Sequence, residues 1–335
     1  MKKTYLCLTF DVEPDVGRIG GGFRGVQQGI PALLSIFENV EQKTRKKINA
    51  TWFVAHDYWG KLDLQFPEIM EELANRNDEL GLHVHFGKNN KYIFDEDFQR
   101  KLLVDGTDSL RNSGYYCKSF RGGGLHVDEI TIKLLEELDY TVDSSVLSGL
   151  KQSSTNGNGW RVNHNDCIVI EPFYPNLFNH CLPGRLELLE CPITMKNFFK
   201  FAFPPYSVGN CSIRLQFAIG RGKTTGLGHA KIAPNESLGI FNKFLSQRLD
   251  REPRLIILTF HLWELFEACV YTNKIQEHWL KNIENWLIAI ANMDGIEFRS
   301  LFNAAKNWKK YNPNKKSTAQ RKVNTITLPC GLFKM

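Results

Sequence analysis

Short, β-rich apolar runs alternate with stretches of helical period along most of the 335-residue chain, and this alternation constrains the fold more than any other feature. The pattern predicts strands at Tyr5–Phe10, Asn49–Ala55, Glu79–Phe86, Cys117–Phe120, Thr141–Val146, Leu186–Cys191 and Leu255–Phe260. It predicts helices at Pro31–Val40, Pro67–Arg76, Phe98–Asn112, Val127–Leu138, Leu238–Arg248 and Ile275–Ala291, with a proline opening the second. Strands that alternate with helices build a parallel sheet, and the repetition predicts an α/β barrel or part of one. Lys196–Ala233 is rich in Gly and Phe and fits neither period.

Hydrophobic residues make up 42% and charged residues 23%, which excludes a largely disordered chain. No run approaches the roughly 20 apolar residues of a membrane-spanning helix. The apolar stretch from Thr4 stops at Asp11 without a small-residue cleavage site, so it reads as a strand and not as a secretory leader. The eight cysteines include no C-x-x-C pair, so they predict reduced thiols and a cytoplasmic protein. The net charge of +6 comes from the C-terminal stretch, where Lys306, Lys309, Lys310, Lys315, Lys316, Arg321 and Lys322 occur with no acid among them. The body is nearly neutral, which argues against a nucleic-acid-binding face. The division expected is a catalytic domain over residues 1–305 and a loosely ordered basic tail over 306–335. Such a tail either solubilises the chain or holds it weakly at an anionic membrane surface.

Reactive residues gather just past the C-terminal ends of four predicted strands. The first strand runs into Asp11-Val12-Glu13, the third into His83-Val84-His85, the fourth into Arg121-Gly122-Gly123-Gly124, and the last into His261-Leu262-Trp263-Glu264. In α/β barrels those ends converge on one face, where active sites lie. Asp11 with Glu13 and His83 with His85 are i, i+2 pairs, so each pair points to one side of an extended chain. Two imidazoles with one or two carboxylates are the ligand set of a divalent metal, zinc being the best match, with a position open for water.

Several ordered motifs resemble the polysaccharide deacetylase superfamily, carbohydrate esterase family 4 or the NodB-homology domain. They are Leu8-Thr9-Phe10-Asp11-Val12-Glu13, Asn49-Ala50-Thr51-Trp52-Phe53-Val54, Asp78-Glu79-Leu80-Gly81-Leu82-His83-Val84-His85, Phe120-Arg121-Gly122-Gly123-Gly124, Asp143-Ser144-Ser145-Val146, Leu189-Glu190-Cys191-Pro192-Ile193-Thr194 and Leu258-Thr259-Phe260-His261-Leu262-Trp263-Glu264. The resemblance covers residues 4 to about 300 and implies a distorted, incomplete (β/α)7 barrel. It also implies a zinc-type hydrolase that removes an acetyl group from an N-acetylated sugar, free or lipid-linked, in making or modifying a polysaccharide. Carried over by motif, Asp11 is the general base, His261 the general acid and Arg121 the residue that orients the base. Glu13, His83 and His85 are the metal ligands, Asp143 tunes the acid, and Gly123 and Trp263 border the substrate. The chain departs from the family at three places: Asp-Val-Glu replaces Asp-Asp, His85 replaces a histidine four residues after His83, and Gly123 replaces a proline.

Two other readings stand beside this one. One is hydrolysis of another C–N bond, in a formylated lipid-linked sugar or a ureide ring; the other is a non-catalytic carbohydrate-binding barrel that has lost its metal. Gly20-Gly21-Gly22-Phe23-Arg24-Gly25 matches a dinucleotide pattern, but ten residues separate it from its strand, so it reads as a loop that covers substrate. Lys43–Lys47 reads as a solvated helix end. His56, His126, His164, His180, His229 and His278 lack paired partners and read as structural, with His164 and His180 the two that would line a sugar site. Tyr58 and Trp59 read as core.

Overall fold

The computed structural model describes residues 3–15, 22–57, 60–61, 65–88, 91–148, 150–153, 159–164, 166–167, 171–194, 253–266, 275 and 277–313. The expected helix at 238–248, the Gly- and Phe-rich stretch, Tyr58, Trp59, His229 and the basic residues beyond 313 lie outside them, as does the His278 side chain.

Seven parallel strands form the main sheet: β1 (Thr4–Val12), β2 (Ala50–Asp57), β3 (Glu79–Val84), β4 (Ser119–Gly122), β5 (Val142–Asp143), β6 (Leu189–Glu190) and β7 (Arg254–His261). Their spatial order is β6-β5-β4-β3-β2-β1-β7. An eighth, β8 (Ile296–Phe298), runs parallel beside the lower half of β1. The helices are α1 (Ile30–Thr44), α2 (Pro67–Asn75), α3 (Glu96–Asn112), α4 (Glu129–Glu137), α5 (Glu277–Ala291) and α6 (Leu301–Tyr311). This is the expected incomplete (β/α) barrel. Its two end strands are joined by Thr194, which donates from its amide to the Ile257 carbonyl at 3.1 Å and accepts the Ile257 amide on Oγ1 at 2.9 Å.

Strand alternation sorts the side chains. On β1, Leu6, Leu8 and Phe10 pack outward with α1 and α5, whereas Tyr5 and Cys7 face inward. The inward cluster adds Phe53, Val142, Leu189, Leu255 and Ile257, and Leu301, Ala304, Ala305 and Trp308 of α6 plug it from below. Leu82, Val84 and Phe120 pack outward with α3 and α4. For α1 to α5, sequence and structure agree to within a few residues at the ends, where hydrogen bonding and not pattern decides.

Differences concentrate near the C-terminus. The stretch expected to be a loose tail from residue 306 is helical to Tyr311, and Trp308 is 1% exposed. The lysines mask an apolar face at 301, 304, 305 and 308, a helical i, i+3, i+4, i+7 series. Its first turn is capped from the barrel floor: the Thr51 hydroxyl accepts the Leu301 amide at 2.8 Å, and Glu79 accepts the Phe302 amide at 2.8 Å. The five described cysteines are free buried thiols. No described helix is long and apolar enough to cross a membrane. Because Trp308 fills the floor of the barrel, Trp308→Ala should cost about 3–5 kcal/mol, read as a fall in denaturant midpoint; a change below about 1 kcal/mol would contradict this placement.

Candidate metal centre

Inward-facing positions of β1, β3, β4 and β7 continue upward from the apolar cluster into polar residues. Tyr5, Cys7 and Thr9 lead to Asp11 and Glu13, and Leu255, Ile257 and Thr259 lead to His261. Register places Asp11 opposite His261 across β1 and β7, and His83 opposite Arg121 across β3 and β4. Asp11, Glu13, His83, His85 and Arg121 are buried, and His261 is partly so.

Arg121 is fully buried and crosses the barrel beneath the histidines. Its Nη1 donates to Asp11 Oδ1 at 2.9 Å, and its Nε to the Ser144 carbonyl at 3.0 Å. Nη2 donates to Ser144 Oγ at 3.2 Å, and the guanidinium lies 4.3 Å from the Phe53 ring centroid. The Ser144 hydroxyl in turn donates to the Cys191 carbonyl at 2.9 Å. Burial pushes the Asp11 carboxyl up, but the charges of Arg121, His83 and His261 and the Arg121 hydrogen bond outweigh it and hold Asp11 well below the usual carboxylate range. Glu13 is likewise raised by burial and brought below its ordinary value by the three histidines. Both acids are ionised at neutral pH.

Around Glu13 the donors form a triangle. Glu13 Oε2 lies 3.5 Å from His83 Nε2 and 3.3 Å from His85 Nε2, and one ligand atom from each of the three lies within 4.8 Å of the others. His83 Nδ1 is 2.9 Å from the Arg121 carbonyl, which only accepts, so Nδ1 carries the proton. In a neutral ring Nε2 then turns a lone pair towards a carboxylate, and two acceptors face each other across a gap that needs a cation or a proton. Ligands of a tetrahedral zinc, each about 2.0–2.1 Å from the metal, stand roughly 3.3 Å apart. The two spacings from Glu13, 3.5 and 3.3 Å, lie near that value and exceed good direct hydrogen bonds. A hydrogen bond from the second ring nitrogen to a carbonyl is also the usual support of a zinc-binding histidine. The donor set therefore fits a divalent ion.

His261 Nε2 stands 3.6 Å from Asp11 Oδ2 and 3.7 Å from Glu13 Oε1, and its ring lies 5.0 Å from that of Trp263 at a 30° tilt. Trp263 is partly buried against the outer cluster. Gly123 lies against His85, with no room for a side chain between them. Arg24 and Gly25 donate their amides to Asp15 at 2.9 Å, so the described end of the glycine loop is pinned just beyond Glu13.

Asp143 is the exception. It was expected beside His261, yet Val142 before it faces the barrel interior, so Asp143 faces out. Ser144, one residue on, takes the inward place and holds Arg121. The residues sequence reasoning missed are Ser144 and Phe53, and alternation counted from Val142 was the available signal for the serine. Asp143 Oδ1 accepts from Ser145 Oγ at 2.5 Å and its carboxyl meets that of Glu190, the register partner on β6. His164 and His180 pack on each other, ring centroids 5.6 Å apart, and bond elsewhere: the Leu147 amide donates to His164 Nδ1 at 3.1 Å, and His180 Nδ1 meets Glu129 at 3.0 Å.

No family profile and no curated protein matches the chain. Solved structures do. A candidate polysaccharide deacetylase from Mycobacterium smegmatis superposes with a TM-score of 0.57 at 18% identity, over 98% of this chain and 94% of that one. PuuE allantoinase gives 0.57 at 11% identity, over 94% and 93%. A candidate polysaccharide deacetylase from Pseudomonas aeruginosa PAO1 gives 0.56 at 11%, again over 94% and 93%. The chain therefore has the polysaccharide deacetylase fold.

The outward acid pair makes a prediction of its own. Burial, then the neighbouring Asp143 charge, raises Glu190 well above its ordinary value of 4.5, so the folded chain keeps a proton there that the unfolded chain releases. That contribution is present at low pH and lost as pH climbs from about 4.5 towards the folded value. Glu190→Gln, which retains a donor and an acceptor, should gain stability relative to the native chain as pH rises, read as denaturant midpoints across a pH series. A constant difference would show that the pair ionises normally.

Proposed function

We propose, with the shared polysaccharide deacetylase fold as premise, that the chain is a metal-dependent hydrolase that removes an N-acyl group, in the first place N-acetyl, from an amino sugar of a polysaccharide or its lipid-linked precursor. The observation that carries the reading is the Glu13–His83–His85 triangle, spaced for one zinc-type ion, with a carboxylate and an imidazole placed on its open side. Such an ion supplies Lewis acidity towards an acyl oxygen and an attacking water.

The remaining chemistry belongs to the chain. Asp11 is ionised and fixed by Arg121, so one carboxylate oxygen is committed to the guanidinium while Oδ2 faces His261 and the site. Asp11 is the proton acceptor for water as its oxygen adds to the acyl carbon. His261 Nε2, between the two carboxylates, is held where a protonated imidazole is stabilised and can pass its proton to the departing nitrogen. An amine leaves poorly without that proton, so the C–N bond breaks as the nitrogen receives it. Trp263, against His261, forms the pocket wall on that side. The allantoinase, which superposes with the same TM-score of 0.57, supports a second reading, a C–N bond in a ureide, and acetate release from N-acetylated sugars against allantoin opening separates the two.

Metal analysis of the purified chain should find about one zinc-like ion per molecule, absent from the His83→Ala/His85→Ala variant; full occupancy in that variant would sink the site. Asp11→Asn should depress hydrolysis of both an N-acetyl sugar and an activated nitrophenyl acetate. His261→Ala should lower the amide reaction by roughly 100-fold or more and largely spare the ester, whose leaving group needs no proton. An equal loss on both substrates with metal content unchanged would remove His261 from the acid role.

A further inference from the structure

We infer that Gly123 is a positioning residue of the proposed metal centre: the side chain it lacks is the space in which His85 turns its ring towards Glu13. This inference rests on the metal reading above. Pairing of β3 with β4 ends at Val84 opposite Gly122, so His85 stands just past the last register pair and lies against Gly123. A Cβ at residue 123 would overlap Cγ and Cδ2 of the His85 ring and lie 2.7 Å from its Cα. Such an atom would displace the ring, and a shift of a few tenths of an ångström takes Nε2 out of a coordination sphere near 2.0–2.1 Å.

Each glycine of Gly122-Gly123-Gly124 is required for a different reason. A Cβ at Gly122 would strike the His126 backbone, whose carbonyl carbon would be 2.8 Å away. Gly124 has φ of +60° and lies against the Trp160 indole. Gly123 alone abuts a proposed ligand, and its own φ is not in the left-handed region, so alanine is barred there by His85 and not by backbone strain. The i, i+2 histidine pair and the glycine after Arg121-Gly122 are thus two halves of one device. Ligands two residues apart demand that the second ring sit low over the neighbouring strand, and only a bare backbone leaves room.

The test uses the full chain with zinc, by competition against a chromophoric chelator, together with melting of the metal-free protein. Gly123→Ala should weaken zinc binding by roughly 10-fold or more, the loss typical of disturbing a residue that supports a ligand. In a His85→Gly background the same substitution should change zinc affinity by less than about 2-fold and lower the melting temperature less than it does beside His85. Should Gly123→Ala fail to fold, recovery of folding by His85→Gly supports the inference and failure of the double variant overturns it. Native zinc affinity in a folded Gly123→Ala protein overturns it too, as does an equal fold-loss in both backgrounds. If the native chain binds no zinc, the proposed function falls; the melting comparison still decides this contact, and additive shifts would dismiss it.

Discussion

The buried Arg121–Asp11 pair is the interaction on which the site depends. A guanidinium with no exposure to water has lost its hydration, which is tolerable only when its donors and its charge are met. Asp11, both oxygens of Ser144 and the face of Phe53 meet them. Leaving either charge alone in the barrel would cost about 3–5 kcal/mol. The pair also spans β4 and β1, which are separated in the sheet by β3 and β2. One residue therefore sets two others: its side chain fixes the carboxylate, and its main-chain carbonyl fixes the tautomer of His83.

Much of this was legible because two periods, 3.6 and 2, carry both fold and site. Asp11, Glu13, His83 and His85 continue the inward phase of strands whose outward phase is plainly apolar, so counting by twos places them together. Asp143 shows where a family likeness overrode that count. β5 is only two residues long and offers too little alternation to correct a motif match that is one residue out of phase. Ser144 was passed over because a serine beside an aspartate carries less chemical promise, although it stands in the inward phase. Helix α6 escaped for a compositional reason: its lysines dominate the stretch, while the alanines and the tryptophan that plug the barrel are inconspicuous. The antiparallel pairs 151–153 with 161–163 and 175–176 with 179–183 lie in a segment whose strands are too short to show a period.

The aspects that alternation could not reach are those set by contact between distant residues. Nothing in Glu190 alone signals a raised carboxyl; it follows from burial beside Asp143, its register partner. Nothing in three consecutive glycines says which neighbour each one spares. These properties arise only when the barrel brings strands side by side.

The plug formed by α6 has an electrical meaning as well as a packing one. Below Arg121 the barrel is filled with Tyr5, Cys7, Leu255, Ile257 and Trp308, a water-free floor with few mobile dipoles to answer the charges above it. Field lines from Asp11 and Glu13, only partly cancelled by Arg121, are therefore directed towards the open end of the strands and not through the protein. The cup has a polarity. Two ionised carboxylates against one guanidinium favour a small cation over an anion at that end. In the proposed metal enzyme, an ion seated between Glu13 and the histidines would offset that charge, so a negatively charged group above it would meet less repulsion once the ion is in place.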